Sequence, residues 1–291
     1  MGTFNRYFAG VLALAALTFS GPASAELGRA APWQLGLQEA ASPIMEQIHS
    51  FHNFVTAIIV VITLFVLVLL GWVMFRYNEK RNPVASRTSH HTMLEVVWTI
   101  VPILILVAIA IPSFRLLFAQ YDYPKADVTI NATGHQWYWS YEYPDEEIQF
   151  DSLMLADNQL KEGQPRLLSV DNEVVVPVGK NVLVQVKSTD VIHDWAMPSF
   201  GIKVDAVPGR LQTTWFRAEK EGTFYGQCSE LCGRNHAFMP IAVRVVSEEE
   251  YAKWVAETKE AALDDGKSVA GAEPAGEPDA DDGDKLAAIE N

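Results

Sequence analysis

Cysteine is almost missing from this chain: its 291 residues contain two, Cys228 and Cys232. No C-x-x-C-H motif occurs, so no haem c is attached to the chain itself and any electron donor must be a separate molecule. No cysteine follows the N-terminal apolar run, which argues against a lipoprotein anchor. A glycine-rich phosphate loop, a nucleophile elbow and an internal repeat are also lacking, which removes P-loop enzymes, α/β-hydrolases and solenoids from consideration. Bases are scarce beside acids, 22 Lys+Arg against 36 Asp+Glu for a net charge of −14, so nucleic acid is not an expected partner.

Charge is absent from two long stretches. Val55–Phe75 carries none over 21 residues, and none falls between Val96 and Phe114. Each is long enough to cross a hydrocarbon core of about 30 Å, and spans of about 55–75 and 96–118 are expected. The connection between them holds Arg76, Lys80, Arg81 and Arg87 against the single acid Glu79, which places it on the cytoplasmic side. An independent signal agrees. Arg6, the apolar run Phe8–Phe19 and Ala23-Ser24-Ala25 together read as a secretory signal peptide over residues 1–25. Both ends of the chain are then expected outside the cytoplasm, where a disulfide is permitted.

The charge is unevenly divided. Residues 26–118 are read as an N-terminal segment plus hairpin, and residues 1–118 together sum to +2. Residues 119–259 hold 21 acids and 13 bases, and residues 260–291 hold 10 acids and two lysines, −8 in each case. The last stretch has the composition of a disordered tail. The middle one alternates as strands do, in DVTINATG, VLVQVKS, TTWFRAE and IAVRVV, with turn residues at PVGKN and VPGR. The expected class is a membrane α-helical hairpin plus an all-β Greek-key sandwich or barrel. SEEEYAKWVAETKEAAL reads as a closing helix capped by Ser247, with Glu250 completing a capping box.

The densest chemistry lies in GQCSELCGRNHAFMP, Gly226 to Pro240. A disulfide would leave His236 and Met239 without a task. Zinc would take two thiolates and two imidazoles, counting His193 upstream, but has little use for Met239. Copper uses every group. A mononuclear site would need His193, Cys232, His236 and Met239, leaving Cys228 over. If both thiolates bridge, two ions fit, with one imidazole each, Met239 on one and the Glu230 carbonyl on the other. Such a closed, shared site suits electron transfer rather than bond-making chemistry.

This loop resembles the dinuclear copper (CuA) loop of cytochrome c oxidase subunit II. The likeness runs from about Pro43 to Val255 and includes GHQWYWSYEY at Gly134–Tyr143 and VIHDWAMPSFGIKVDAVPGR at Val191–Arg210. The resemblance implies a two-helix hairpin in the bacterial inner membrane carrying a cupredoxin-like domain on the periplasmic side. It implies electrons arriving from cytochrome c and leaving to the haem of subunit I, where oxygen is reduced to water with proton translocation. Subunit III and lipid would be further neighbours.

Individual residues acquire roles in the same way. HQWYWSYEY, read as one strand, puts His135, Trp137, Trp139 and Tyr141 on one face, with Tyr138 and Glu142 on the other, a pattern of core packing. The resemblance instead makes Trp137 the point where the electron arrives. It makes Glu142, Asp151, Asp171 and Asp190 docking acids for cytochrome c. Glu230, by itself a solvated loop residue, would add its carboxylate to a Mg²⁺ or Mn²⁺ shared with subunit I. Glu95, by itself a helix cap three residues after Thr92, would mark the mouth of a proton path. Rivals are a mononuclear cupredoxin, a membrane-tethered copper carrier, which needs an open site, and a quinol oxidase subunit, which lacks the copper ligands. Nitrous-oxide reductase carries a similar loop, but this chain lacks room for its catalytic domain.

Overall fold

The computed structural model describes residues 27–84 and 86–264. The expected signal peptide and nearly all of the acidic tail lie outside the described residues.

Two helices come first, α1 (Pro43–Arg76) and α2 (Thr92–Tyr121). Both outrun the expected spans. At about 1.5 Å per residue the 34 residues of α1 extend about 51 Å, well past a hydrocarbon core. The uncharged run marks only the part suited to lipid; the preceding polar turns stay helical because Ile44 and Met45 are buried against the β-domain. Ser42 caps α1 by accepting from the Met45 N–H, 3.1 Å, and Pro43 occupies the first turn, where its missing N–H costs nothing. The cap of α2 corrects the sequence reading: it is His91, whose Nδ1 accepts from the Leu94 N–H at 3.3 Å, not Thr92. An imidazole is a rare cap, so residue preference pointed one position too far along. Both helices leave their apolar windows wholly unburied within the chain, as a hairpin facing lipid or other subunits must.

Ten strands follow: β1 (Val128–His135), β2 (Tyr138–Tyr143), β3 (Ile148–Ser152), β4 (Val174–Pro177), β5 (Asn181–Ser188), β6 (His193–Met197), β7 (Ile202–Ala206), β8 (Gln212–Arg217), β9 (Gly222–Cys228) and β10 (Pro240–Val246). They form two five-stranded sheets, β3-β2-β1-β5-β8 and β4-β10-β9-β6-β7. Pairing is antiparallel except for β1–β5 and β4–β10, the parallel contacts that Greek-key crossovers create. Along β1 and β5 buried and half-buried residues alternate, the signature of a sheet with one face on the core. Trp139, Tyr141, Trp195, Phe200, Phe216 and Phe224 fill the space between the sheets.

HQWYWSYEY is not a single strand. The chain reverses at Gln136–Trp137, so His135 pairs with Tyr138 across the hairpin and the two rings stack at 4.5 Å. Trp139 and Tyr141 do face the core, as the period-2 pattern expects, but Trp137 sits in the turn. The aromatic run hid a two-residue turn without glycine or proline.

The closing helix α3 (Glu248–Asp264) packs Trp254 against Tyr143. Ser247 accepts from the Glu250 N–H as expected, while the Glu250 carboxylate turns to Arg244 rather than completing the box.

The β-domain grips the hairpin at two places. Beside α1, the Ser42 hydroxyl donates to the Phe200 carbonyl and the Ala41 N–H to that of Ser199. At the end of α2, the Trp215 indole donates to the Gln120 carbonyl, and just beyond it the Tyr123 hydroxyl donates to that of Thr213.

Candidate metal centre

His193 opens β6 and Cys228 closes β9, and these strands pair through Trp195–Cys228 and Ala196–Gln227. The register brings two residues 35 positions apart to one end of the sandwich. The β9–β10 connection then folds back, because Pro240 pairs with Gln227 and holds both ends of the loop together. Within it a short 3₁₀ turn, His236–Phe238, aims His236 inward.

The donor atoms converge. Cys228 Sγ lies 3.8 Å from Cys232 Sγ, 3.9 Å from His193 Nδ1 and 3.3 Å from the Glu230 carbonyl oxygen. Cys232 Sγ lies 3.6 Å from His236 Nδ1 and 3.5 Å from Met239 Sδ. His193, Cys228, Cys232 and Met239 are buried, and His236 is half-buried. Both cysteines are free; a disulfide would hold the sulfurs about 2.0 Å apart. Each thiol thus has a nearest imidazole and a nearest weak donor of its own.

Electrostatics distinguish the two thiols. Burial would raise Cys228, but hydrogen bonding to His193 and to the backbone at Asp194 and Glu230 brings it down to about 7. Cys232 is pushed up to about 12, by burial first and then by Cys228. A metal ion entering the site must displace the Cys232 proton.

His193 has a fixed orientation. Its Nε2–H donates to Asp190 Oδ1 at 2.8 Å, leaving the Nδ1 lone pair towards Cys228. Burial pulls the His193 pKa down, but the bonds to Cys228 and Asp190 outweigh it and raise the value. Gly134 makes room for the ring: a Cβ there would meet His193 Cδ2 at 2.9 Å.

Trp137 rests on the metal loop. Its Nε1–H donates to the Cys232 carbonyl at 3.2 Å, and the Gln136 side chain donates to the same oxygen at 2.7 Å. Gly233, at φ +123°, lies under the indole, where a Cβ would come within 3.0 Å of Cζ2. The Gln136 N–H in turn reaches Asp190 Oδ2 at 2.7 Å. One hairpin turn is therefore tied both to a thiol-bearing residue and to the acid that orients His193.

The remaining acids lie on the β2–β3 side of the same sheet or in the segment that follows it. Asp151 accepts from the Ser140 hydroxyl at 2.6 Å, and both Asp151 and Asp190 act on His135, beside the turn. Glu142 is exposed on β2 and accepts from Asn131. Asp171 accepts from the backbone N–H groups of Leu153 and Asn172. Glu230 is exposed. Glu95 is not part of this assembly: it lies in the first turn of α2, the far end of the hairpin.

Residues 30–116 match the family model described as "Cytochrome C oxidase subunit II, transmembrane domain", and residues 128–246 match "Cytochrome C oxidase subunit II, periplasmic domain". The chain is 52% identical over 233 residues to "Probable cytochrome c oxidase subunit 2" of Rickettsia felis, covering 80% of this chain and 74% of that protein. The chain belongs to the cytochrome c oxidase subunit II family. It is 49% identical over 269 residues to cytochrome c oxidase subunit 2 of Cereibacter sphaeroides, 86% of this chain and 89% of that one. The solved periplasmic domain of subunit II of cytochrome oxidase from Bradyrhizobium japonicum is 62% identical, covers 47% of this chain and 97% of its own, and superposes with a TM-score of 0.45.

As a subunit II, the chain is part of a haem–copper oxidase and a neighbour of subunit I. The family implies a copper centre, and the donor set fits one: soft sulfurs and imidazoles around two thiols near enough to bridge. Sequence reasoning missed Gln136, Gly134 and Gly233. Only the two glycines left a signal, each next to a residue with chemistry.

Proposed function

We propose that this chain is the electron-receiving subunit of its oxidase, holding two copper ions between the Cys228 and Cys232 thiolates. His193 and the Glu230 carbonyl would serve one ion, and His236 and Met239 the other. When bound, the pair would accept and release one electron. The observation that carries the reading is the division of donors, one imidazole and one weak ligand beside each thiol, with the thiols 3.8 Å apart. A mononuclear site leaves Cys228 over, and a carrier needs a ligand position open to exchange.

Trp137 is the residue on which cytochrome c delivers its electron, because its indole donates to the Cys232 carbonyl. Glu142, Asp151, Asp171 and Asp190 form the acidic collar that attracts it. Asp190 also positions His193, so Asp190→Ala should weaken copper binding about 10–100-fold in chelator competition. Unchanged affinity would return Asp190 to docking alone. Turnover with cytochrome c should fall steeply as salt rises past about 0.1 M, where the Debye length is about 10 Å. Glu142→Gln and Asp151→Asn should flatten that dependence and lower kcat/KM while leaving the copper spectrum intact. Turnover indifferent to ionic strength would remove the collar.

The rest of the reading follows from this placement. Residues 26–118 are the N-terminal segment and hairpin, and 119–259 the copper domain, with both termini on the periplasmic side after loss of residues 1–25. Residues 260–291 are a solubilising tail. The exposed Glu230 carboxylate would meet a Mg²⁺ or Mn²⁺ held largely by subunit I, and Glu95 would stand at the cytoplasmic mouth of a proton path. The deciding experiment is copper content with electron paramagnetic resonance on the purified full chain. Two coppers sharing one unpaired electron support the reading; one copper with a mononuclear signal overturns it.

A further inference from the structure

The segment that leads into α1 carries the two most exposed large apolar side chains among the described residues. Trp33 is 97% and Leu35 98% exposed, more than any large apolar side chain on the bare faces of the two helices. The segment is nevertheless fixed. At one end the Tyr225 N–H donates to the Gly28 carbonyl at 2.8 Å, and Gly28 sits so close to β9 that a Cβ would run into the Thr223 carbonyl. At the other end the Ala41 N–H donates to the Ser199 carbonyl, and Lys220 pairs with Glu39 at 2.6 Å. Between them Gln34 laces the loop to itself. Its Oε1 accepts from the Ala31 N–H at 2.8 Å, and its Nε2–H donates to the Leu37 carbonyl at 2.7 Å. Trp33 is held at φ +61°, which a bulky residue adopts only under constraint. A loop built this firmly holds an indole and an isobutyl group outward, away from the core of the β-domain.

Its height along α1 is fixed as well. Gln38 Oε1 accepts from the Ser199 hydroxyl at 3.0 Å, and the Gln38 carbonyl accepts from His49 Nε2 at 2.8 Å. His49 lies past Glu46, the last charged residue before the span, and about 9 Å along the helix axis from Val55. The headgroup layer adds about 5–8 Å to each side of the hydrocarbon core. Gln38 thus meets the outer edge of that layer, and the large side chains a few residues away are within reach of it. Nothing in the loop opposes entry. Residues 30–38 are uncharged between Arg29 and Glu39, and Lys220 already pairs with the Glu39 carboxylate.

We propose that Trp33 and Leu35 form an anchor in the bilayer, seated in the phospholipid headgroup layer on the β-domain's side of the hairpin. Tryptophan favours that layer because its ring is apolar while its N–H still finds a polar partner. Leu35 adds apolar area that gains by leaving water. Lipid suits the tip better than a protein surface does. Gln34, the one amide-bearing side chain from Ala30 to Leu37, is occupied within the loop, which leaves nothing to set the register of a protein partner. The anchor rests on the hairpin spanning a membrane, not on the copper reading, and stands if that reading fails.

The test uses the whole oxidase and the full chain alone, each reconstituted in phosphatidylcholine vesicles. The chain has eight tryptophans, so the emission of Trp33 is read as the difference between the unmodified protein and Trp33→Phe. In both preparations that difference should be quenched roughly twofold by lipid brominated near the headgroup end of its acyl chains, and less by lipid brominated near the chain ends. Leu35→Asp should remove most of the quenching yet leave the melting temperature unchanged, since that side chain is 98% exposed within the chain. A difference signal indifferent to bromine in both preparations would place the tip in water and overturn the proposal. Quenching in the chain alone but not in the oxidase would mean that a neighbouring subunit covers the tip, and equally overturns it. So would stronger quenching by chain-end bromine, the mark of a residue sunk among the acyl tails.

Discussion

Cys228→Ser and Cys232→Ser should each abolish the two-copper centre and lower turnover with cytochrome c by at least about a thousandfold, some 4 kcal/mol of barrier. A serine hydroxyl is a hard, protonated donor at neutral pH and cannot bridge soft metal ions. The two variants should differ in what they leave behind. Cys228→Ser keeps Cys232 with His236 and Met239 at 3.6 and 3.5 Å and leaves His193 within 4.8 Å, together the set that a single blue-copper ion needs. Cys232→Ser keeps Cys228 beside His193 but without the thioether. Copper content and resonance spectra of both variants check this, and identical spectra would contradict the division of donors.

Trp137→Phe should slow electron transfer from cytochrome c about a hundredfold, equivalent to about 2.7 kcal/mol of barrier, while the copper spectrum and melting temperature hardly move. The indole is half-buried in a turn, and the Gln136 side chain still donates to the Cys232 carbonyl when the indole N–H is lost. Trp139 is the control. It is fully buried, so Trp139→Ala should cost about 3–5 kcal/mol of stability. Stopped-flow reduction by cytochrome c, set beside the spectrum, decides the matter. A rate loss accompanied by an altered spectrum would make Trp137 a support of the loop instead.

The convergence of Cys228, Cys232, His236 and Met239 was legible because they lie within twelve residues of one another. His193 was the one distant member of the cluster, and only the β6–β9 register explains how it arrives. The sandwich followed from alternation. The long helices did not, since packing by Ile44 and Met45, not hydropathy, extends α1. The hairpin at Gln136–Trp137 was concealed because its turn lacks glycine and proline and its flanks are aromatic.

The two attachments between hairpin and β-domain bear on how the copper loop can work. Ser42 and Ala41 bind Phe200 and Ser199 beside one helix, while Trp215 and Tyr123 join the strands to the end of the other. A domain hung on a single strap would swing, and each swing would change the distance between the Cys228–Cys232 loop and a membrane-embedded neighbour. Fixed at two separate points, this one behaves as a bracket. That distance is set once, at assembly, rather than by the motion of the domain.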